Sequence, residues 1–199
     1  HTIKVGTISG PETQLMETAK QVAKQRYKLN VEIVPFSNYS LPNRALADGD
    51  IDANMFQHKP FLDADSKAHG YKLVIVGKTF VYPMAVYSDK IKSLKQLPNN
   101  ATVAIPNDAS NEARALILLQ KAGLIKLPAN VSVTAPPKDI VSNPKHLKFK
   151  ELDASTLPRT LQDVTIAVIN TNYAALADLS PSKDGLFVEG GDSPYANII

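Results

Sequence analysis

Apolar residues recur along the chain with two spacings, one typical of strands and one typical of helices. Ile3, Val5 and Thr7 alternate with polar neighbours, which predicts a strand because successive side chains of a strand point to opposite faces. Ser9-Gly10-Pro11 then marks the start of a helix. The apolar positions of that helix have helical spacing, and we expect them to form its buried stripe: Leu15, Ala19, Val22, Ala23 and Tyr27.

The same alternation of strand and helix patterns continues along the chain. Further strands are predicted at residues 31–34, 51–54, 72–76, 79–87, 103–105, 131–133, 147–152, 166–169 and 186–188. Further helices are predicted at residues 42–48, 60–69, 112–122, 139–142, 157–163 and 173–179. Strands that alternate with helices at this spacing along the sequence indicate parallel α/β sheets. The pattern restarts after the long extended run at 79–87, which indicates two lobes instead of one sheet.

The composition narrows the classes of partner. The 199 residues include 22 Lys and Arg and 19 Asp and Glu, which gives a net charge of +3. The basic residues are scattered and are not interleaved with aromatics, so we expect no nucleic-acid partner. No apolar run approaches the length of a membrane span. The sequence has no cysteine, which excludes thiol chemistry and leaves the compartment open.

Motifs for catalysis and for cofactor binding are absent from the sequence. Gly6 and Gly10 do not form a nucleotide-binding fingerprint, and no nucleophile elbow is present. The acidic turn that begins at Asp48 resembles a calcium loop, but Ala53 and Lys59 stand where Gly and Glu are needed. The four histidines lack the spacing of a zinc site. We therefore expect no catalytic residue, no metal and no cofactor.

The clearest candidate for ligand binding is the segment Ile105-Pro106-Asn107-Asp108-Ala109-Ser110-Asn111-Glu112-Ala113-Arg114. It turns from a predicted strand into a predicted helix, which places the amide of Asn111 and the guanidinium of Arg114 in the first turn of that helix. Free N–H groups and the helix dipole favour an anion there, and the donor fork of Arg matches a carboxylate. A helix cap beside a solvated Arg is the alternative interpretation.

Aromatic and amide side chains follow other predicted strands. Ligands of open α/β sheets bind beyond the carboxyl ends of the strands, so these residues are candidates for one apolar pocket with a few polar groups. Taken singly, each aromatic also fits a place in the core, and the histidine fits a structural, hydrogen-bonded role. The candidates are Tyr39, Phe56, His58, Phe61, Asn170 and Asn172.

Several segments carry a resemblance to one family. Asp52-Ala53-Asn54-Met55-Phe56-Gln57-His58-Lys59-Pro60-Phe61-Leu62 resembles the D-A-N-x-F-Q-H-K-P-Y-L signature of the NlpA/MetQ family of periplasmic or lipid-anchored binding proteins. The segment from Ile105 to Arg114 is similar to that family's V/I-P-N-D-x-x-N-x-x-R segment. Three more segments are similar to family segments: Thr79-Phe80-Val81-Tyr82-Pro83, Ala167-Val168-Ile169-Asn170-Thr171-Asn172-Tyr173-Ala174 and Asp192-Ser193-Pro194-Tyr195-Ala196-Asn197. The match runs from Ile3 to Ile199.

The resemblance implies a type II periplasmic-binding-protein fold, in which two crossing strands join two α/β lobes and the ligand is bound in the interlobe cleft. Residues 1–83 and 193–199 would form lobe one, and residues 84–192 would form lobe two. The implied function is an extracytoplasmic receptor without catalysis, located in the bacterial cell envelope. It would bind L-methionine by lobe closure, act as a monomer, and deliver its ligand to the membrane permease of an ABC importer.

The resemblance also implies roles for eight residues. Arg114 would bind the ligand carboxylate with help from Asn111, while Asn172 and Asn197 would hold the amino group and the carboxylate by hydrogen bonds. The side chains around the thioether would be Tyr39, Phe56, His58 and Phe61. Sulfur–aromatic contacts of this kind contribute roughly 0.3–1.5 kcal/mol each.

The sequence departs from the family pattern at three points. Phe61 replaces the usual Tyr, and Ala113 replaces a frequent Gly. Family members continue beyond Ile199 with elements that complete lobe one, so we expect further sequence there. Most members carry a lipidated Cys ahead of the part that begins here, so a lipid anchor is inferred only.

Alternatives within the receptor class are D-methionine, a methionine-containing dipeptide or another apolar amino acid as ligand. A surface lipoprotein with a role in adhesion or antigen display is a further alternative, as is a hydrolase or transferase on a similar scaffold.

Overall fold

Two units, each with its own sheet and core, make up the part of the chain that the computed structural model describes, residues 1–131 and 135–199. The first unit consists of His1–Tyr82 and Ser193–Ile199, and the second consists of Pro83–Asp192. The boundaries expected from the sequence differ from these by one residue, Pro83. Of the strand expected at 131–133, residues 132 and 133 lie outside the described ranges.

The first unit is built on a parallel sheet of three strands in the order β2-β1-β3. Helices connect successive strands, as the alternating pattern predicts. A short antiparallel pair, β4 with β10, completes the unit. The elements are β1 (Thr2–Ile8), α1 (Pro11–Tyr27), β2 (Asn30–Phe36), α2 (Pro42–Ala47), β3 (Ala53–Met55), β4 (Gln57–His58), α3 (Lys59–His69) and, at the end of the chain, β10 (Asn197–Ile198).

The start and the packing of α1 follow from its sequence only in part. Pro11 begins the helix, where its missing N–H costs nothing, and Gly10 precedes it with a φ of 131° that favours glycine. Met16 packs against the core of the first sheet, and Leu15 and Ala23 lie partly buried beside it. The predicted stripe is wrong at three positions, because the helix turns its Glu12–Met16 face to the sheet and leaves these exposed: Ala19, Val22 and Tyr27.

The second unit contains a five-stranded sheet in the order β7-β6-β8-β5-β9. β6 pairs in parallel with β7 and β8, while β5 pairs antiparallel with β8 and β9. The sheet is therefore mixed at one edge and parallel elsewhere. The elements are β5 (Ala85–Tyr87), β6 (Thr102–Pro106), α4 (Ala109–Lys121), β7 (Lys148–Leu152), β8 (Ile166–Ile169), α5 (Thr171–Leu176), α6 (Pro181–Asp184) and β9 (Phe187–Val188).

The core of the second unit lies between α4 and the sheet. Leu116 and Leu119 of α4 are fully buried with Val103 and Ile105 of β6. Ile166 of β8 is also fully buried there, as its uninterrupted apolar strand predicts. This packing fixes the start of α4 against the carboxyl ends of β6 and β8. Among the described helices, none is long and apolar enough to cross a membrane.

Two kinds of sequence prediction fail in detail. No strand forms at residues 72–76, and only Ala85–Tyr87 of the run at 79–87 is a strand. Isolated contacts, not a continuous ladder, join this part of the chain to its end: the N–H of Val76 donates to the carbonyl of Ile199 at 2.8 Å, and Lys78 forms a single bridge with Ile198. Val74 is 82% exposed. The helices predicted at 139–142 and 157–163 are short 3-10 helices at Pro137–Asp139 and Ala154–Thr160. In the second of these, Pro158 removes a backbone donor that a longer α-helix would need.

Candidate functional site

The start of α4 is organised by Asp108, which caps the helix. One of its carboxylate oxygens accepts hydrogen bonds from the backbone N–H of Asn111, from the Asn111 side-chain amide and from the Ser110 hydroxyl, each at 3.0 Å. Burial raises the pKa of Asp108, and these hydrogen bonds act in the opposite direction. The helix begins earlier than predicted, so Asn111 lies in the first turn and Arg114 lies in the second.

The amide side chains that follow β6 and β8 are in contact, because adjacent parallel strands end at the same edge of the sheet. Asn170 donates from Nδ2 to Oδ1 of Asn111 at 3.1 Å. Asn172 is buried in the first turn of α5, two residues further on. The sequence placed all three residues at strand ends, and the β6–β8 pairing brings two of them into contact.

Arg114 forms an ion pair that no local sequence pattern predicts. Its Nε donates to Glu189 Oε2 at 2.9 Å, and its Nη2 donates to Glu189 Oε1 at 2.5 Å. Both side chains are buried, with exposed fractions of 4% and 7%. The guanidinium, which was expected to bind a ligand carboxylate, is thus already held by a carboxylate of the same unit.

The four aromatic candidates of the first unit form one cluster. The ring of Tyr39 lies 6.1 Å from that of Phe56 and 5.8 Å from that of Phe61. Phe56 and Phe61 meet edge to face at 5.8 Å, and His58 lies 6.4 Å from Phe61. The cluster extends to Tyr195, whose ring centroid lies 5.0 Å from that of His58. Tyr195 follows from no local pattern.

His58 also has a structural role. Its Nδ1 accepts a hydrogen bond from the backbone N–H of Phe61 at 3.1 Å and so caps α3. Because Nδ1 is the acceptor, the ring proton of the neutral form is on Nε2. The structural interpretation of His58 is therefore confirmed, and its contact with a ligand stays a prediction.

The polar residues of the family signature are used inside the first unit. Asn43 of α2 donates to Gln57 Oε1 at 2.7 Å and to Asp65 Oδ2 at 2.9 Å. Gln57 and Asn54 donate in return to Asn43 Oδ1, at 2.7 and 3.0 Å. This amide network joins α2, β3, β4 and α3. It fixes the turn that carries Phe56.

Asn197 contacts a carboxyl group that the sequence analysis missed. Its Nδ2 donates to Glu12 Oε1 at 2.7 Å, across 185 positions of sequence. Burial raises the pKa of Glu12 to about 8, against the lowering effect of this hydrogen bond. Glu12 Oε2 has no hydrogen-bond partner among the described residues. Asn197 also lies opposite His58 in the β4–β10 pair.

The eight predicted residues thus fall into two sets. The first unit holds Asn197 and the aromatic cluster of Tyr39, Phe56, His58 and Phe61, and the second unit holds Asn111, Arg114 and Asn172. Among the described residues, no group of three or more His, Asp or Glu side chains is arranged to hold a metal ion. The first set includes a cluster of aromatic rings, most of them buried, and the second consists of a buried cation and two buried amides.

Comparison with known proteins relates these features to a family. The family model described as NlpA lipoprotein matches residues 3–199. The D-methionine-binding lipoprotein MetQ of Salmonella typhi is 59% identical over 199 residues, which cover 99% of this chain and 73% of the relative.

Two solved structures are similar over nearly the whole chain. An ABC transporter periplasmic substrate-binding protein from Coxiella burnetii is 61% identical with a TM-score of 0.96, covering 98% of this chain and 83% of that one. A nutrient-binding protein from Burkholderia cenocepacia bound to methionine is 52% identical, with the same TM-score and the same coverage. The two-lobe α/β class expected from the resemblance is confirmed, and the chain belongs to the NlpA lipoprotein family.

Proposed function

We propose that this protein is an extracytoplasmic solute-binding protein that binds methionine and delivers it to the permease of an ABC importer. The observation that carries the proposal is the similarity, at 52% identity and a TM-score of 0.96, to a nutrient-binding protein bound to methionine. The Coxiella burnetii relative supports the transport role, because it is described as part of an ABC transporter. The chain would act without catalysis, as a monomer in the cell envelope.

The two sets of residues fit the two ends of methionine. A thioether is polarisable and apolar, and it contacts aromatic rings favourably, so the cluster around Phe56 and Phe61 suits the side chain. The carboxylate suits Arg114, because guanidinium binds carboxylates by a planar fork. Asn111, Asn172 and Asn197 would bind the amino group and the remaining carboxylate oxygen. The lobe closure that the resemblance implies stays a prediction, and a ligand that binds one form preferentially would stabilise that form.

In this scheme Arg114 would contact two carboxylates, that of Glu189 and that of the ligand. Glu189 accepts from Nε and from one N–H of Nη2. A zwitterionic amino acid brings its own ammonium group, so the buried charges remain balanced when it binds.

Native mass spectrometry of the purified protein tests the proposal most directly, because a retained ligand is identified by its mass. Titration calorimetry with L-methionine, D-methionine and a methionine-containing dipeptide then ranks the ligands. D-methionine has specific support, since the Salmonella typhi relative is named for it. Absence of binding by all three at millimolar concentration would contradict the proposal.

Replacement of Arg114 tests the assignment of the carboxylate site. We expect Arg114→Ala to weaken methionine binding by at least ~2 kcal/mol, because a buried charge-assisted pair is lost. Arg159→Ala is the matched control, since Arg159 is an exposed arginine of the same unit. An unchanged dissociation constant in the Arg114 variant would remove this residue from the site.

A further inference from the structure

The contacts of Glu189 differ from those of the other buried acids of the second unit. Asp108 accepts three hydrogen bonds from Ser110 and Asn111. Glu112 hydrogen-bonds to a second carboxyl group, that of Glu151, and burial together with that contact raises its pKa to about 8. Glu189, by contrast, forms a buried ion pair with the guanidinium of Arg114. Its two oxygens contact Nε and Nη2 of Arg114, one each.

The backbone holds Glu189 in turn. Its N–H donates to the carbonyl of Met84 at 2.8 Å, and the N–H of Met84 lies 3.5 Å from its Oε1. Met84 is fully buried beside β5, the strand that pairs with β9 just before Glu189. The backbone of Glu189 is therefore held by the β5–β9 strand pair, and its carboxylate holds the guanidinium of Arg114.

Stability alone is a weak reason for such a pair. Removing two charges from water costs several kcal/mol per ion, so buried ion pairs are often no more stabilising than apolar residues of the same volume. What the pair does supply is a defined plane for the guanidinium. An arginine side chain has many rotamers, and a bidentate contact on the Nε and Nη2 edge selects one of them.

A second pair on the same helix has the same form. Asn111 and Arg114 lie three positions apart on α4, and three positions along a helix bring side chains to one face. Asp108 holds the amide of Asn111, as Glu189 holds the guanidinium of Arg114. Each of the two groups expected to contact a ligand carboxylate is thus anchored by a carboxylate of the protein.

We propose that Glu189 is a positioning residue of the ligand site, which holds the guanidinium of Arg114 in the orientation that receives the ligand carboxylate. The inference rests on the proposed function. It places a determinant of ligand selectivity 75 positions away from Arg114 in the sequence. Glu189 itself does not contact the carboxylate in this scheme. It acts through Arg114.

Glu189→Gln tests the inference, because glutamine keeps the size of the side chain but turns one acceptor into a donor. The new amide N–H₂ cannot accept a hydrogen bond from Nε or Nη2. One of the two hydrogen bonds to Arg114 is therefore lost, and the guanidinium must turn. We expect methionine affinity to fall about tenfold or more, as is common when a group that orients a binding residue is lost.

The selectivity of the variant separates positioning from a general loss of structure. Methioninamide lacks the carboxylate, and alanine lacks the thioether. If Glu189 positions Arg114, Glu189→Gln should lower the affinity for methionine relative to methioninamide, because only methionine carries the carboxylate. The affinity for methionine relative to alanine should not change, because both carry it. A loss that affects both ratios equally would overturn the inference, and so would unchanged or tighter binding of methionine. Asp163→Asn, at an exposed acid of the same unit, is the control.

A measurement on the unaltered protein covers the case in which the glutamine variant does not fold. The ¹⁵N spectrum of arginine Nε–H groups, assigned with Arg114→Lys, should show the Arg114 signal protected from exchange both without and with methionine. Loss of that protection on binding would mean that the ligand displaces Glu189, which contradicts positioning. If the unaltered protein does not bind methionine, the proposed function fails; if it binds and Glu189→Gln behaves identically, only this inference fails.

Discussion

Glu12 is a buried acid in the first turn of α1, with an exposed fraction of 2%. Its carboxyl group accepts a hydrogen bond from the Asn197 side chain. Loss of water around the carboxyl group disfavours its charged form, and the hydrogen bond from Asn197 compensates only in part. The pKa therefore rises to about 8. The charge of Glu12 adds to the effect of burial on Tyr82, whose pKa is raised to about 12. At neutral pH Glu12 is mainly protonated, so the first unit buries a neutral acid.

The raised pKa of Glu12 predicts a pH dependence of stability. The unfolded chain loses this proton near pH 4.5, whereas the folded protein keeps it until about pH 8. The free energy of unfolding should therefore fall as pH rises from 4.5 to 8, and then level off. Glu12→Gln mimics the protonated acid. We expect it to remove the part of this decrease in the free energy of unfolding that Glu12 causes.

Denaturant unfolding at pH 5 and pH 8 measures the effect. The variant should lose less stability than the parent between the two values, by more than about 1.4 kcal/mol, the free energy of one pKa unit. Glu112→Gln serves for comparison, because the pKa of Glu112 is also raised to about 8 but by burial and Glu151 in the second unit. Equal pH dependence in Glu12→Gln and the parent would contradict the raised pKa.

At the scale of elements, sequence patterns predicted the features that depend on neighbours a few positions away. The turn between β6 and α4 predicted that Asn111 lies at the start of the helix, and the strand before Phe56 predicted aromatic residues near a strand end. Glu189 and Glu12 could not be found in this way. Their partners lie 75 and 185 positions distant, and no periodicity links such pairs. The face of α1 was predicted wrongly because apolar spacing does not identify which of two adjacent stripes meets the sheet.

The capping of α3 by His58 predicts how that helix responds to substitution. Asparagine is a good cap, and its Oδ1 can accept from the N–H of Phe61 as Nδ1 does. We expect His58→Asn to keep most of the stability and His58→Ala to lose about 1 kcal/mol or more. Thermal unfolding followed by circular dichroism measures both variants.

The same pair of variants separates the cap from the pocket. If His58 also lies against the ligand, both variants should bind methionine more weakly, because each removes the ring that contacts Phe61 and Tyr195. Normal affinity in His58→Asn would limit the role of His58 to the helix cap. Equal stability of the two variants would argue against the cap.

At the scale of the whole molecule, the eight residues proposed for ligand binding are divided between two units with separate cores. The first unit holds the aromatic cluster, and the second unit holds the buried cation Arg114. Neither set alone matches an amino acid with a thioether side chain. A ligand that needs both sets binds the folded protein and not the unfolded chain, which makes thermal stability a readout of the complete site.

We expect methionine at 100 times its dissociation constant to stabilise the protein by about 2.7 kcal/mol and to raise the melting temperature accordingly. Tyr39→Ala in the first unit and Arg114→Ala in the second should each reduce that shift at the same ligand concentration. Tyr27→Ala is the matched control for the tyrosine, because Tyr27 is 73% exposed on α1. A full shift in Tyr39→Ala together with none in Arg114→Ala would assign ligand binding to the second unit alone. Reduced shifts in both, with an unchanged control, are expected only if residues of both units contribute to binding the same ligand.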